Sequence, residues 1–266
     1  MFKSINSSAP LTLNPMLKVM LFMCFSFATL HAQEVKTDTI AKTAIPQNIK
    51  FNYKQLIIPA VLMGYGFIGI ESDQLKSFNS QIQAEVKEDI DRKTTIDDFS
   101  QYAPAFSVYA LNASGIKGKN NLKDRSVILV TSYIMMSATV LSLKSLTKIE
   151  RPDGSSNNSF PSGHTATAFA GAEFLWQEYK DKSIWYGISG YIVATGTGAF
   201  RIVNNKHWLT DVAAGAGIGI LSTKIAYWMN PYLNRKLFGS ERNNTTAVIA
   251  PFYNGKQLGL CLMKAF

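Results

Sequence analysis

Apolar residues run along this chain in blocks rather than in alternation, so the pattern predicts helices and few strands. Phe51 to Ile70 is apolar with few polar interruptions and reads as a helix, a candidate membrane span. Residues 71 to 101 are rich in Glu, Asp, Lys, Gln and Ser, with Ile82, Val86 and Ile90 at helical spacing, which predicts amphipathic helices. A short apolar segment, Pro104 to Ile116, precedes a Lys117–Asn121 loop. Ser126 to Leu143 then carries no charge, and Pro152 is expected to end that helix. After a Gly/Ser/Asn loop over 153–159, helices are expected from Ser162 to about Glu178, from Ser183 to Phe200, and from Trp208 to about Trp228, the last limited by Pro231. The tail breaks the pattern. Thr245 to Phe252 and Gln257 to Leu262 flank Tyr253-Asn254-Gly255-Lys256, and Asn-Gly favours a two-residue type I′ hairpin turn. The expected fold class is all-α, a bundle of about five to six hydrophobic helices with a short C-terminal β-hairpin. The expected organisation is an N-terminal segment over 1–32, a polar extended stretch over 33–50, a helical domain over 51–240 and a tail over 241–266.

Membrane crossing is tested by length and charge. A spanning helix needs about 20 apolar residues, which the two uncharged segments barely reach. Glu173 and Lys224 are costly in lipid unless they face the bundle interior. One topology fits the charges: Lys117, Lys119, Lys123, Arg125, Lys180, Lys182, Arg235 and Lys236 on the cytoplasmic side, with Lys144, Arg151, His164, Arg201 and His207 together on the periplasmic face. At the N-terminus, Lys3 and Lys18 precede the apolar stretch Val19 to Leu30, then His31-Ala32-Gln33. That is a secretory signal pattern with cleavage after Ala32, or an uncleaved anchor, since Leu30 is not the small residue preferred at that place. The expected location is a bacterial envelope membrane, with a soluble periplasmic protein as the alternative.

Composition narrows the classes. Of 266 residues, 47% are hydrophobic and 17% charged, which excludes a disordered chain. The net charge of +9 is spread along the sequence, with no aromatic-interleaved basic stripe, so no nucleic-acid partner is expected. The basic field suits a lipid surface or phosphorylated substrates. Cleavage after Ala32 would leave Cys261 as the sole cysteine and His164 and His207 as the sole histidines. No internal disulfide, multi-histidine metal site or Cys/His zinc spacing is then available, and no cofactor is expected.

Three segments carry candidate chemistry. Lys144-x6-Arg151-Pro152 places two cations about two turns apart if both lie on one helix. Arg151 can grip a phosphate bidentately while Lys144 acts as a point charge. Phe160-Pro161-Ser162-Gly163-His164 stands at a helix start, where Ser162 can cap, Gly163 lets backbone approach an anion, and His164 can donate a proton. Arg201-x5-His207-x3-Asp211 adds a third cation and an imidazole four residues from a carboxylate. A carboxylate on one ring nitrogen fixes the tautomer and frees the other to attack. Each segment alone also reads as a basic helix end, a capped helix or a surface pair. Together they offer charge neutralisation, a nucleophile and an acid, which phosphoryl transfer needs.

These residues resemble the three-part signature of the type-2 phosphatidic acid phosphatase superfamily, which also includes bacterial acid phosphatases and vanadium haloperoxidases. The matching residues are Lys144, Arg151, Pro152, Pro161, Ser162, Gly163, His164, Arg201, His207 and Asp211, all within 144–211. The resemblance implies a helical core and a metal-independent phosphatase working through a phosphohistidine. It implies His207 as nucleophile, Asp211 as its orienter and His164 as general acid and then base. It also implies Lys144, Arg151, Ser162, Gly163 and Arg201 as the phosphate holders. Phe200 departs from the family serine, and the Pro152–Pro161 gap is short, implying an open site without a capping domain.

The expected substrate is a phosphomonoester or pyrophosphate, carried by a membrane lipid or a small phosphoester. The rivals are a soluble broad-specificity acid phosphatase, a vanadium-dependent haloperoxidase and a non-catalytic phospholipid-headgroup binder. Trp208 reads as core packing, with packing on a lipid tail as the alternative, and Gly215, Gly217 and Gly219 as close helix contacts. Asp91, Asp97 and Asp98 read as solvated charges or helix caps.

Overall fold

The computed structural model describes residues 53–89 and 95–238, together with the strands at 247–253 and 258–264. The expected signal or anchor segment, the polar stretch after it and Asp91 lie outside these residues. A 3-10 turn, Tyr53–Leu56, leads into α1 (Ile57–Glu71). There follow α2 (Asp73–Asp89), α3 (Ile96–Ser100), α4 (Ala103–Ala113), α5 (Leu122–Thr147), α6 (Gly163–Tyr179), α7 (Ile184–Val203) and α8 (Leu209–Phe238). Strands β1 (Ala247–Tyr253) and β2 (Leu258–Lys264) pair antiparallel. Their last pair is Tyr253 with Leu258, so four residues rather than two separate the paired ends; those four, 254–257, lie outside the described residues.

Helix α6 occupies the centre, packed by α4, α5, α7 and α8. Its alanines make this possible: Ala166, Ala168, Ala170 and Ala172 are fully buried and let neighbouring backbones come close. Gly215, Gly217 and Gly219 of α8 do the same from the other side. A methyl on Gly215 would run into the Ser162 carbonyl just before α6, one on Gly219 into α6 backbone, and one on Gly217 into Pro59 and Met63 of α1. The expected close helix contacts are therefore present. A larger apolar cluster, with Val108, Ile128, Phe174, Tyr179 and Tyr227, fills the end of the bundle away from residue 164.

Two helix ends differ from expectation. Asn121 caps α5 by accepting the Asp124 N–H at 2.8 Å, but the helix stops at Thr147, well before Pro152. Lys148 takes the left-handed conformation that closes a helix (φ 48°) and turns the chain away. The Lys144–Arg151 pair is consequently not a pair along one helix face. Conversely, Pro231 lies inside α8 rather than limiting it. Proline removes one backbone donor. The continuation is tied down by side chains, with Asn234 donating to Asp124 Oδ1 at 2.7 Å and to Asn230 at 3.2 Å.

Among the described residues, three helical segments are long and apolar enough to cross a membrane: Tyr53–Glu71, Leu122–Thr147 and Leu209–Phe238. The charges that argued against crossing point inward. Glu173 is buried and accepts Lys224 Nζ at 2.6 Å and Gln177 Nε2 at 2.6 Å, with the Tyr191 hydroxyl on its other oxygen. Arg125 is also buried, donating to Asn112 Oδ1 at 2.9 Å and the Asn120 carbonyl at 2.5 Å, and so is not a free surface charge.

Candidate active site

The site gathers where α5 ends, α6 begins, α7 ends and α8 begins. His207 lies in the turn just before α8 and is 2% exposed. Asp211, in the first turn of α8, presents Oδ2 at 3.6 Å from His207 Nδ1. That is longer than a hydrogen bond, and among the described residues Nδ1 has no other partner. The same Oδ2 accepts the Trp208 N–H at 2.9 Å and the Ser159 hydroxyl at 2.5 Å. Ser159 is fully buried and was not singled out from sequence, since a serine in a Gly/Ser/Asn loop carries no local sign of it.

Burial leaves the His207 imidazolium poorly solvated and lowers its pKa to about 4. Asp211 opposes this, while the Lys144 and Arg201 charges add to it. His207 is therefore neutral at neutral pH, as a nucleophile must be.

Three cations approach from three elements. Lys144, in the last turn of α5, donates to the carbonyls of Asn158 and Ser159. Arg151 comes from the loop after Lys148. Its backbone N–H donates to the Ser156 carbonyl at 3.0 Å and its Nε to Asn158 Oδ1 at 2.9 Å, so the loop rather than a helix aims it. Arg201 is buried on α7. Its charge is felt at Lys144, Arg151, His164 and His207 alike, which brings the three signature segments into one electrostatic neighbourhood.

Ser162 is the residue before α6, but its hydroxyl pairs with Thr165 Oγ1 at 2.8 Å and makes no cap bond. Its backbone N–H donates to the Asp211 carbonyl at 3.0 Å, locking the start of α6 to that of α8. Gly163 opens α6, and His164 follows at its second position, half-buried.

The acidic residues of α3 correct an expectation. Asp97 is not solvated: it is 1% exposed, accepting Arg201 Nη1 at 2.5 Å and Asn204 Nδ2 at 3.1 Å. Asp98 keeps about half its surface but stands 2.9 Å from His164 Nε2. These partners are 104 and 66 residues away in sequence, beyond the reach of local pattern. Ligand atoms of Asp97, Asp98 and His164 fall within 4.8 Å of one another, a spacing that could admit a cation. The Arg201 guanidinium against Asp97 already supplies positive charge there.

The short loop between the first two motifs is tied on several sides. Gln83 of α2 donates to the Pro152 carbonyl at 2.7 Å, Lys206 pairs with Asp153 at 2.6 Å, and Trp208 Nε1 donates to the Glu150 carbonyl at 2.9 Å. Trp208 thus pins the loop while also lining a mostly apolar cavity of about 230 Å³ beside Asp211, with Gly69, Ile70 and Asn79 among its other walls. Phe200 is half-buried.

Fold and site together define a helical bundle with apolar, membrane-length helices and a cationic, histidine-bearing site at one end. Residues 125–235 match the PAP2 superfamily. The chain is 41% identical over 145 residues to the lipid A 1-phosphatase of Porphyromonas gingivalis, covering 53% of this chain and 32% of that protein. It is 37% identical over 78 residues to the bacitracin transport permease protein BcrC of Bacillus licheniformis, covering 29% of this chain and 36% of that one. The chain thus spans about a third of the length of the curated relatives it matches. Among solved structures, a transmembrane PAP2 type phosphatidylglycerolphosphate phosphatase from Bacillus subtilis is similar at 20% identity with a TM-score of 0.49, covering 69% of this chain and 99% of that one.

Proposed function

We propose that this chain is a membrane-integral phosphatase that hydrolyses the phosphate of an envelope lipid through a phosphohistidine intermediate. The observation that carries the reading is His207: buried, neutral, backed by Asp211 and surrounded by the charges of Lys144 and Arg201. Lys144, Arg151, Arg201 and the start of α6 at Ser162 and Gly163 hold the phosphate oxygens. His207 Nε2 attacks phosphorus as the bond to the lipid oxygen breaks, and His164 gives that oxygen a proton. Water then attacks phosphorus, His164 takes the water's proton, and the N–P bond breaks to release phosphate.

Membrane integration is supported by the three apolar segments and by the inward-facing Glu173–Lys224 pair. The site faces the periplasm, in line with the distribution of lysine and arginine between the two ends. Residues 1–32 serve as a signal or anchor, 51–240 as the catalytic domain. The first substrate to test is a lipid A phosphate, because a relative 41% identical over 145 residues is named for that activity.

The deciding experiment is phosphate release from lipid A, phosphatidic acid, polyprenyl pyrophosphate and small phosphoesters, run beside His207→Ala. Expected are turnover of at least one lipid phosphate, its loss in His207→Ala, survival in EDTA, and inhibition by vanadate. Absence of turnover, or activity that EDTA abolishes and added metal restores, overturns the reading. Bromide oxidation by peroxide and vanadate would favour the haloperoxidase instead.

A further inference from the structure

Helix α3 lies outside the 125–235 segment, yet it brings a carboxylate onto each of two site residues. Its position is held from α7: Ser100 Oγ meets Thr197 Oγ1 at 2.8 Å, and Asp97 binds Arg201 and Asn204. Asp98 is therefore fixed by an anchored element, although its own side chain is about half exposed. From that element its Oδ1 reaches His164 Nε2 at 2.9 Å. The contact is shorter than the 3.6 Å between Asp211 and His207, whose carboxylate oxygen is shared with Ser159 and Trp208.

The two histidines have opposite requirements in the proposed chemistry. His207 must be neutral to attack, whereas His164 must carry a proton to the departing oxygen. The charged groups facing His164 are Asp97 and Asp98 from α3 and Arg201 from α7. Burial and Arg201 disfavour its protonated form, and Asp97 is already paired with Arg201. Asp98 is the carboxylate left to favour it.

Resting on the phosphatase reading above, we propose that Asp98 is a positioning residue for His164, holding the ring by Nε2 and supporting its protonated form. In the imidazolium, Nε2–H donates to Asp98 and Nδ1–H goes to the leaving oxygen as the P–O bond breaks and the bond to His207 forms. His164 is then neutral with its proton kept on Nε2, so Nδ1 is the atom that takes a proton from water in the second step.

The test uses the full chain with Asp98→Asn and Asp98→Glu, beside wild type and His207→Ala, on a lipid phosphate and on 4-nitrophenyl phosphate. An alkoxide leaving group needs a proton, whereas 4-nitrophenolate needs little. Asp98→Asn is expected to lower kcat on the lipid about 10- to 100-fold, within the range of general acid catalysis. It should move the alkaline limb of the pH profile to lower pH and change the aryl ester rate less than about threefold, as expected where general acid assistance is small. Asp98→Glu should restore part of the lipid rate. An equal loss on both substrates, or an unmoved alkaline limb, overturns the role of Asp98. If the aryl ester is not turned over, the pH profile on the lipid alone decides. A wild type that turns over neither substrate sinks the phosphatase reading itself, whereas an active wild type with an indifferent Asp98→Asn sinks only the inference about Asp98.

Discussion

Asp211 accepts the backbone N–H of Trp208 at 2.9 Å while standing 3.6 Å from His207 Nδ1, so one carboxylate both starts α8 and backs the candidate nucleophile. With Trp208 as the cap, Asp211 is the third helical residue reaching back, one half of a capping box. The two roles separate by substitution. Asn at 211 can still accept from Trp208 and Ser159 but carries no charge to support the imidazole that the proposed phosphorylation would make cationic. Asp211→Asn is expected to keep the wild-type melting temperature while kcat falls on the order of 10²- to 10⁴-fold. Asp211→Ala should lose activity and also about 1–2 kcal/mol of stability, because the cap goes and the buried Ser159 hydroxyl loses its acceptor. Calorimetry beside a phosphate-release assay distinguishes them; equal melting temperatures for the two variants would refute the dual role.

His207 makes stability depend on pH with a definite sign. Its ordinary value is 6.5 and in the fold it drops to about 4. Between those values the unfolded chain binds the proton and the folded chain does not, so stability falls as pH falls. The contribution is complete above about pH 6.5 and lost by about pH 4, worth ~3 kcal/mol in all. Comparing His207→Gln with wild type from pH 7 to 4 should show the variant losing less stability over that window. Parallel curves would mean that His207 is not held neutral.

The candidate site residues that share a sequence neighbourhood are legible because their geometry is local. The step from Ser162 to His164 marks a helix start, and His207 and Asp211 stand four residues apart across the start of α8. Arg151 was misplaced because nothing in Lys148 announces a left-handed turn; a lysine there looks like helix. Pro231 was over-read because the side chains that hold α8 beyond it, Asn234 on Asp124, lie 110 residues apart. Asp97 and Asp98 look like solvated charges or helix caps in sequence for the same reason. A five-residue helix has almost no pattern, and only the docking of α3 on α7 shows where its acids go.

The Glu173–Lys224 pair predicts a stability asymmetry. Both side chains are largely buried, at 2% and 11% exposure, with 2.6 Å between them. Removing one partner strands a charge inside the bundle, which typically costs 3–5 kcal/mol, whereas replacing both with apolar residues of similar volume is often neutral. Glu173→Leu and Lys224→Met should each lower thermal stability in detergent strongly, and the double substitution should recover most of the loss. Additive losses in the double-mutant cycle would show that the two charges do not depend on each other.

Gly217 and Gly196 predict opposite outcomes for the same substitution. A Cβ on Gly217 would sit 2.7 Å from both the Pro59 carbonyl oxygen and the Met63 Cγ of α1, and 3.0 Å from the Met63 backbone nitrogen. Backbone cannot move aside as a side-chain tip can, so Gly217→Ala must push α1 away from α8 at a cost of about 1–3 kcal/mol. Around Gly196, in α7, nothing lies within 4 Å of the added carbon. There alanine only narrows the unfolded ensemble and favours helix, by roughly 0.5–1 kcal/mol. Because α8 carries Asp211 in its first turn, parting α1 from α8 should also reduce activity in Gly217→Ala, while Gly196→Ala leaves turnover unchanged. Melting temperatures that move in the same direction for both variants would show that α1 and α8 are not in close backbone contact at Gly217.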